Sequence, residues 1–196
     1  MPTICTNLLL LDGPAADLEA FRKTLVSFDN NDCPRLDLEA ILPMPMNIAV
    51  PSPVDTPPIR QGEDTSWLEW RTRVWGTKWN GTNGRWTLLG SQLAALSFDT
   101  PWGPPDGVFH ALAKDARMGN LTAIVACQME PHGGGAWLGQ IDEGRFETNA
   151  VERDDPNLAR AFDIAIPPRV PAHILRGLDR IQSTLSRAPE RKPVAA

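Results

Sequence analysis

The sequence predicts an α+β fold. Three observations lead there: two segments that each read strand, helix, strand; a proline- and tryptophan-rich stretch between them; and a glycine-marked hairpin after the second segment. At 196 residues the chain suits one domain carrying an insertion. A chain of this length buries roughly two thirds of its unfolded surface, so it needs no disulfide or metal to fold.

The first strand runs from Thr3 to Leu11, weakly alternating and then apolar, and stops at Asp12-Gly13-Pro14. Proline there suits a first helical position. Leu18, Phe21, Leu25 and Val26 follow at the spacing of one helical face, and Asn30-Asn31-Asp32 breaks the pattern. Arg35 to Leu42 alternates, with Leu36, Leu38 and Ala40 on one side, and predicts a half-buried strand. Prolines at 43, 45, 51, 53, 57 and 58 make Pro43 to Gly62 an extended surface segment. Ser66 with Glu69 predicts a capped helix over Trp67 to Trp75, closed by Gly76, and Asn80 to Gly84 is rich in turn residues.

The second unit repeats the first. Gln92 to Phe98 predicts a strand, Asp106 to Met118 a helix with Val108, Leu112 and Ala116 inward, and Leu121 to Met129 another strand. Two β-α-β halves joined by an insertion predict a ferredoxin-like split β-α-β sandwich: an antiparallel sheet with two helices on one face. Ala136 to Ile141 and Arg145 to Ala150 predict an added hairpin through Asp142-Glu143-Gly144. Ile174, Leu178, Ile181 and Leu185 predict a C-terminal helix. The expected organisation is a ferredoxin-like domain over 1–150 with its insertion at 43–90. An extension over 151–187 holds a helix at about 171–187, and 188–196 is a disordered tail.

Composition narrows the function classes. A net charge of −5 and the lack of a Lys/Arg run argue against duplex nucleic acid; the clusters are Arg71/Arg73 and Arg187, Arg191, Lys192. Apolar runs such as Leu8 to Leu11 are far too short for a membrane span, and the N-terminus does not read as a signal peptide. Three scattered cysteines, Cys5, Cys33 and Cys127, fit a reducing compartment, so a cytoplasmic protein is expected. Neighbouring first and fourth strands would bring Cys5 near Cys127, as core thiols more readily than ligands. His110, His132 and His173 are far apart, and no metal-ligand spacing, phosphate loop or nucleophile motif occurs. No cofactor is expected.

The tryptophans are the informative feature: there are seven, against no tyrosine, and five lie between Trp67 and Trp86. They form either a secondary core or an exposed binding surface. Candidate binding residues are Trp75, Lys78, Trp79, Asn80, Asp99, Trp102, Glu130 and Trp137, with a Lys78–Asp99 ion pair expected if their motifs meet. The expected function is a non-enzymatic protein-binding or adaptor module. Single-stranded nucleic-acid binding, and an enzyme using Lys78, Asp99 and Glu130, are the alternatives.

Four motifs come in order: Cys5-Thr6-Asn7 with Asp12-Gly13-Pro14; Ile41-Leu42-Pro43-Met44-Pro45; Trp75-Gly76-Thr77-Lys78-Trp79-Asn80; and Phe98-Asp99-Thr100-Pro101-Trp102-Gly103-Pro104-Pro105. Together they resemble the YubB ferredoxin-like domain family, found largely on bacteriophages, plasmids and integrated elements. The resemblance covers about residues 3 to 140. Glu130 and Gly133-Gly134-Gly135-Ala136-Trp137-Leu138-Gly139 are similar to that family's acidic, glycine-rich turn, without the aromatic expected near Cys127-Gln128. The resemblance implies a ferredoxin-like core in an accessory protein of a mobile element, and supplies no biochemical role.

Overall fold

A strand whose two faces are both buried has no polar side to show, and the run Leu8 to Leu11 is such a segment. In the computed structural model, which describes residues 3–45, 48, 66–130 and 134–165, it lies in the middle of β1 (Ile4–Asp12) with all four leucines buried. Strand β5 (Leu93–Pro101) pairs antiparallel on one side and β6 (Thr122–Met129) on the other, Leu9 facing Leu96 and Val125. Beyond β5 lies β4 (Thr82–Leu88). Beyond β6 the hairpin β7 (Ala136–Asp142) and β8 (Arg145–Val151) extends the sheet. The order β4-β5-β1-β6-β7-β8 makes one six-stranded, wholly antiparallel sheet in an α+β fold.

One sheet face packs against α1 (Ala15–Leu25) and α4 (Asp106–Ala113), through Leu18, Phe21, Val108, Phe109 and Leu112. The expected helix to Met118 instead stops at Lys114 and resumes as a 3₁₀ turn, Ala116–Met118. Asp115 opens that turn. Its carboxylate accepts from the Arg117 backbone N–H at 2.9 Å and holds the guanidinium at 2.6 Å, which keeps Asp115 below the usual carboxylate range.

The strand expected over Arg35 to Leu42 does not form. Pro34–Leu36 is a short strand, β3, paired only with β2 (Val26–Phe28), and Leu38–Ile41 is a helical turn, α2. The side chain of Asp37 accepts from Ala40 N–H at 3.2 Å, and Asn80 Oδ1 takes the Leu38 N–H at 3.1 Å. These acceptors satisfy the free donors of a helix start, which an extended strand would lack. The position beside β5 goes to β4, in a stretch whose glycine and asparagines predict only a turn. β3 crosses β4 so closely that a Cβ on Gly84 would lie 1.9 Å from the Pro34 carbonyl oxygen. Further along, α3 (Trp67–Val74) forms where expected, with Ser66 Oγ accepting from Glu69 N–H.

The second sheet face is not open. Helix α5 (Pro156–Ala165) lays Leu158, Ala161 and Ile164 against Leu8, Leu10, Ile124, Ala126 and Leu138. Burying Leu158 and Ile164 stabilises by about 1.5–3 kcal/mol each. Asp155 starts the helix by accepting from the N–H groups of Asn157 and Leu158. Helices therefore sit on both faces, where two on one face were expected. Most of Pro43 to Gly62, the helix expected at 171–187 and the tail 188–196 lie outside the described residues. Among the described residues, no helix is long and apolar enough to cross a membrane.

Candidate functional site

Three polar side chains are fully buried among the described residues: Asn7, Thr77 and Thr100. A buried polar group is costly unless bonded, so each needs a reason. All three brace one turn. Asn7 Nδ2 donates to Thr100 Oγ1 at 2.8 Å and to the Phe98 carbonyl at 3.3 Å. Thr100 Oγ1 donates to the Gly103 carbonyl, and Thr77 Oγ1 to the Pro101 carbonyl, each at 2.7 Å. Between Pro101 and Gly103 stands Trp102, with φ at 73° and 44% of its surface exposed. A left-handed backbone is unfavourable for a bulky residue and persists only where its surroundings over-determine it.

Lys78 completes the arrangement. Its Nζ lies 5.0 Å from the ring centroids of both Trp79 and Trp102. The motifs around Lys78 and Trp102 thus meet, as the sequence suggests, but not through the expected ion pair: among the described residues, Lys78 has no salt bridge to Asp99. Asp99 accepts instead from Thr6 Oγ1 at 3.0 Å and from Asn83 Nδ2 at 3.4 Å. Thr6 alternates with Cys5 and Asn7 along β1, so Asp99, directly opposite Thr6, stands on the sheet face away from them. Glu130 is exposed at the end of β6 and bonds the Ile4 backbone N–H at 3.3 Å. Lys78, Asp99 and Glu130 do not converge.

Two other candidates are structural. Trp75 is fully buried, and its indole N–H donates to the Leu42 carbonyl at 2.8 Å. Asn80 Oδ1 accepts from Leu38 and Gly81 N–H while its Nδ2 reaches Asp37, so its polar atoms are used in holding α2. The tryptophans accordingly divide: Trp70 and Trp75 stack edge to face, 5.9 Å apart, inside the core, and Trp102, outside that cluster in sequence, faces outward.

Trp102 and Trp137 meet at a cleft of about 580 Å³. It opens where β7 and β8 carry the sheet past the first turn of α4. Trp137 pairs with Cys127 in the β6–β7 register, which puts both side chains on the α4 face. Phe109 of α4 and Phe146 of β8, 5.5 Å apart, form another wall; Met129, Asp106 and Thr148 complete it, with Gly134 and Gly135 at its lip. Local patterning marks Trp102 and Trp137 beside their turns. It gives no sign that Asp106, Phe109, Phe146 and Thr148 belong with them, because strand register and the packing of α4 on the sheet bring them together.

Cys127 lines this cleft, and burial first, then the neighbouring Cys5 thiol and the Asp106 charge, push its pKa well up. Cys33 is half-exposed on its turn. A thiolate is the reactive form, so a thiol reagent at neutral pH is expected to label Cys33 at least about tenfold faster than Cys127. Mass mapping of a labelling time course checks this; equal rates would contradict the burial. Among the described residues, no group of three or more His, Cys, Asp or Glu could hold a metal ion. The sheet face on which single-stranded bases would stack lies under α5.

No family model matches the chain, and no curated protein sequence does so. A search of solved structures finds similarity to the crystal structure of a protein api92 from Yersinia pseudotuberculosis, described by the family model DUF1281. The two are 20% identical with a TM-score of 0.46, and the match covers 59% of this chain and 39% of that one.

Proposed function

We propose that the protein is a non-enzymatic protein-binding module whose recognition surface is the cleft between α4 and the β7–β8 hairpin, with the Trp79–Lys78–Trp102 stack at its rim. The observation that carries this reading is the bracing of Trp102. Three buried polar side chains brace a turn of unfavourable φ that leaves 44% of a large aromatic ring exposed. Tryptophan is, with tyrosine and arginine, enriched among interface hot spots. The order β4-β5-β1-β6, with α1 and α4 on one face, supports a ferredoxin-like core in which β4 takes the second-strand place and β7–β8 extend one edge. The ordered motifs named above support an accessory protein of a mobile element, and the three scattered cysteines support a reducing compartment such as the cytoplasm.

The test is selection of a displayed random-peptide library on the full chain. Each recovered peptide is then titrated against the unaltered protein, Trp102→Ala and Trp137→Ala. Affinity is expected to fall about tenfold or more in both variants, and the melting temperature of Trp102→Ala to stay close to that of the parent. Peptides that bind both variants as tightly as the parent would sink the proposal.

A further inference from the structure

We infer that the cleft receives a cationic side chain, an arginine guanidinium presented by a partner protein, with the Asp106 carboxylate as its counter-charge; this rests on the reading of the cleft as the recognition surface. Among the described residues lining the cleft, Asp106 carries the single formal charge. Its carboxylate is unspent. It accepts no hydrogen bond from a described side chain, its side chain is about half exposed at 51%, and its one ion-pair contact is His110 Nε2 at 4.0 Å. Its field reaches the floor of the cleft, since it contributes to the raised pKa of Cys127.

The walls suit the same ligand. Trp102, Trp137, Phe109 and Phe146 offer aromatic surface, and an aromatic face attracts a cation through its quadrupole. The protein supplies its own precedent at the rim: Lys78 holds its ammonium over Trp79 and Trp102, and it is not itself among the lining residues. An anionic group would meet Asp106 with no cation among the described lining residues to offset it, Lys78 standing at the rim. A purely apolar group would cover Asp106 and leave a carboxylate without water or partner, which is costly. Arginine fits better than lysine, because a planar guanidinium stacks on an indole and offers a donor fork to a carboxylate at the same time. A volume of about 580 Å³ also leaves room for the flanking residues of a partner segment, which a free amine would not fill.

The experiment uses the full chain and two probes, acetyl-Ala-Ala-Arg-Ala-Ala-amide and the same peptide with citrulline, which keeps the shape and removes the charge. Binding is read from the indole N–H resonances of Trp102 and Trp137. The arginine peptide is expected to shift both resonances saturably, and the citrulline peptide to bind at least about tenfold more weakly. Asp106→Asn is expected to erase that preference, and Asp106→Glu to restore most of it. Equal affinity for the two peptides, or an unchanged preference in Asp106→Asn at an unchanged melting temperature, overturns the arginine assignment. So does the absence of any shift at millimolar arginine peptide. If library-selected peptides still need Trp102 in those cases, the cleft remains the recognition surface and the cation alone fails; if they do not, both readings fail.

Discussion

Replacing Trp75 with alanine is expected to cost about 3–5 kcal/mol of folding free energy, measured by urea unfolding. The indole is fully buried, packs edge-on against Trp70, carries the Arg71 guanidinium 4.6 Å from its centroid, and bonds the Leu42 carbonyl. Alanine removes all of this and leaves a cavity between α3 and the segment after α2. Trp75→Phe keeps most of the volume and loses the hydrogen bond, so about 1–2 kcal/mol is expected there. A loss below about 1 kcal/mol for alanine would mean that the ring is not packed as described. The consequence for function is practical: lost binding in a Trp75 variant reports unfolding, whereas lost binding in Trp102→Ala reports recognition.

Gly107→Ala is expected to be comparably damaging, by about 3 kcal/mol or more, for a steric reason. A Cβ at this position would sit 1.8 Å from the Val74 carbonyl oxygen and 3.0 Å from its carbon, both backbone atoms at the end of α3. Neither can turn aside as a side chain would, so α4 must shift away from α3. Asp106 and Phe109 move with it, and the cleft opens. Gly90→Ala is the control: a Cβ there meets nothing within 4 Å, and its unfolding midpoint should stay near the parent's. Matching midpoints for the two variants would contradict the close approach of α3 and α4.

Periodicity carried the strands and helices whose burial is one-sided or complete, such as β1, α1, β6 and the β7–β8 hairpin. It failed where side-chain acceptors decide the backbone. Leu36 and Leu38 alternate like a strand, yet Asp37 and Asn80 turn the chain into a helix between Leu38 and Ile41. β4 was hidden because its first residues are those of turns, and its register does shift between Thr82 and Arg85. α5, by contrast, has a sequence signal of its own: Asp155-Pro156 suits a helix start, and Leu158, Ala161, Phe162 and Ile164 fall at helical spacing. The candidate site divides in the same way. Trp102 and Trp137 were legible as aromatics beside glycine-bearing turns. Sequence alone could not tell that Trp75 points inward, or that Asp99 belongs to the opposite face. The first rests on how α3 packs against the segment at Leu42, the second on pairing of β1 with β5 across nearly a hundred residues.

The central place of β1 also bears on how the chain is made. Of the six strands of the sheet β1 is made first, but its two neighbours, β5 and β6, end only at Pro101 and Met129. Until Pro101 is made, Leu8 to Leu11 have neither neighbouring strand complete; one side stays open until Met129, and the helix that covers their second face comes later still. Contacts so distant in sequence close slowly, and an apolar strand without partners is prone to aggregate meanwhile. The nascent protein is therefore most vulnerable before residue 129 is synthesised, and its yield should respond to chaperones that hold extended apolar segments.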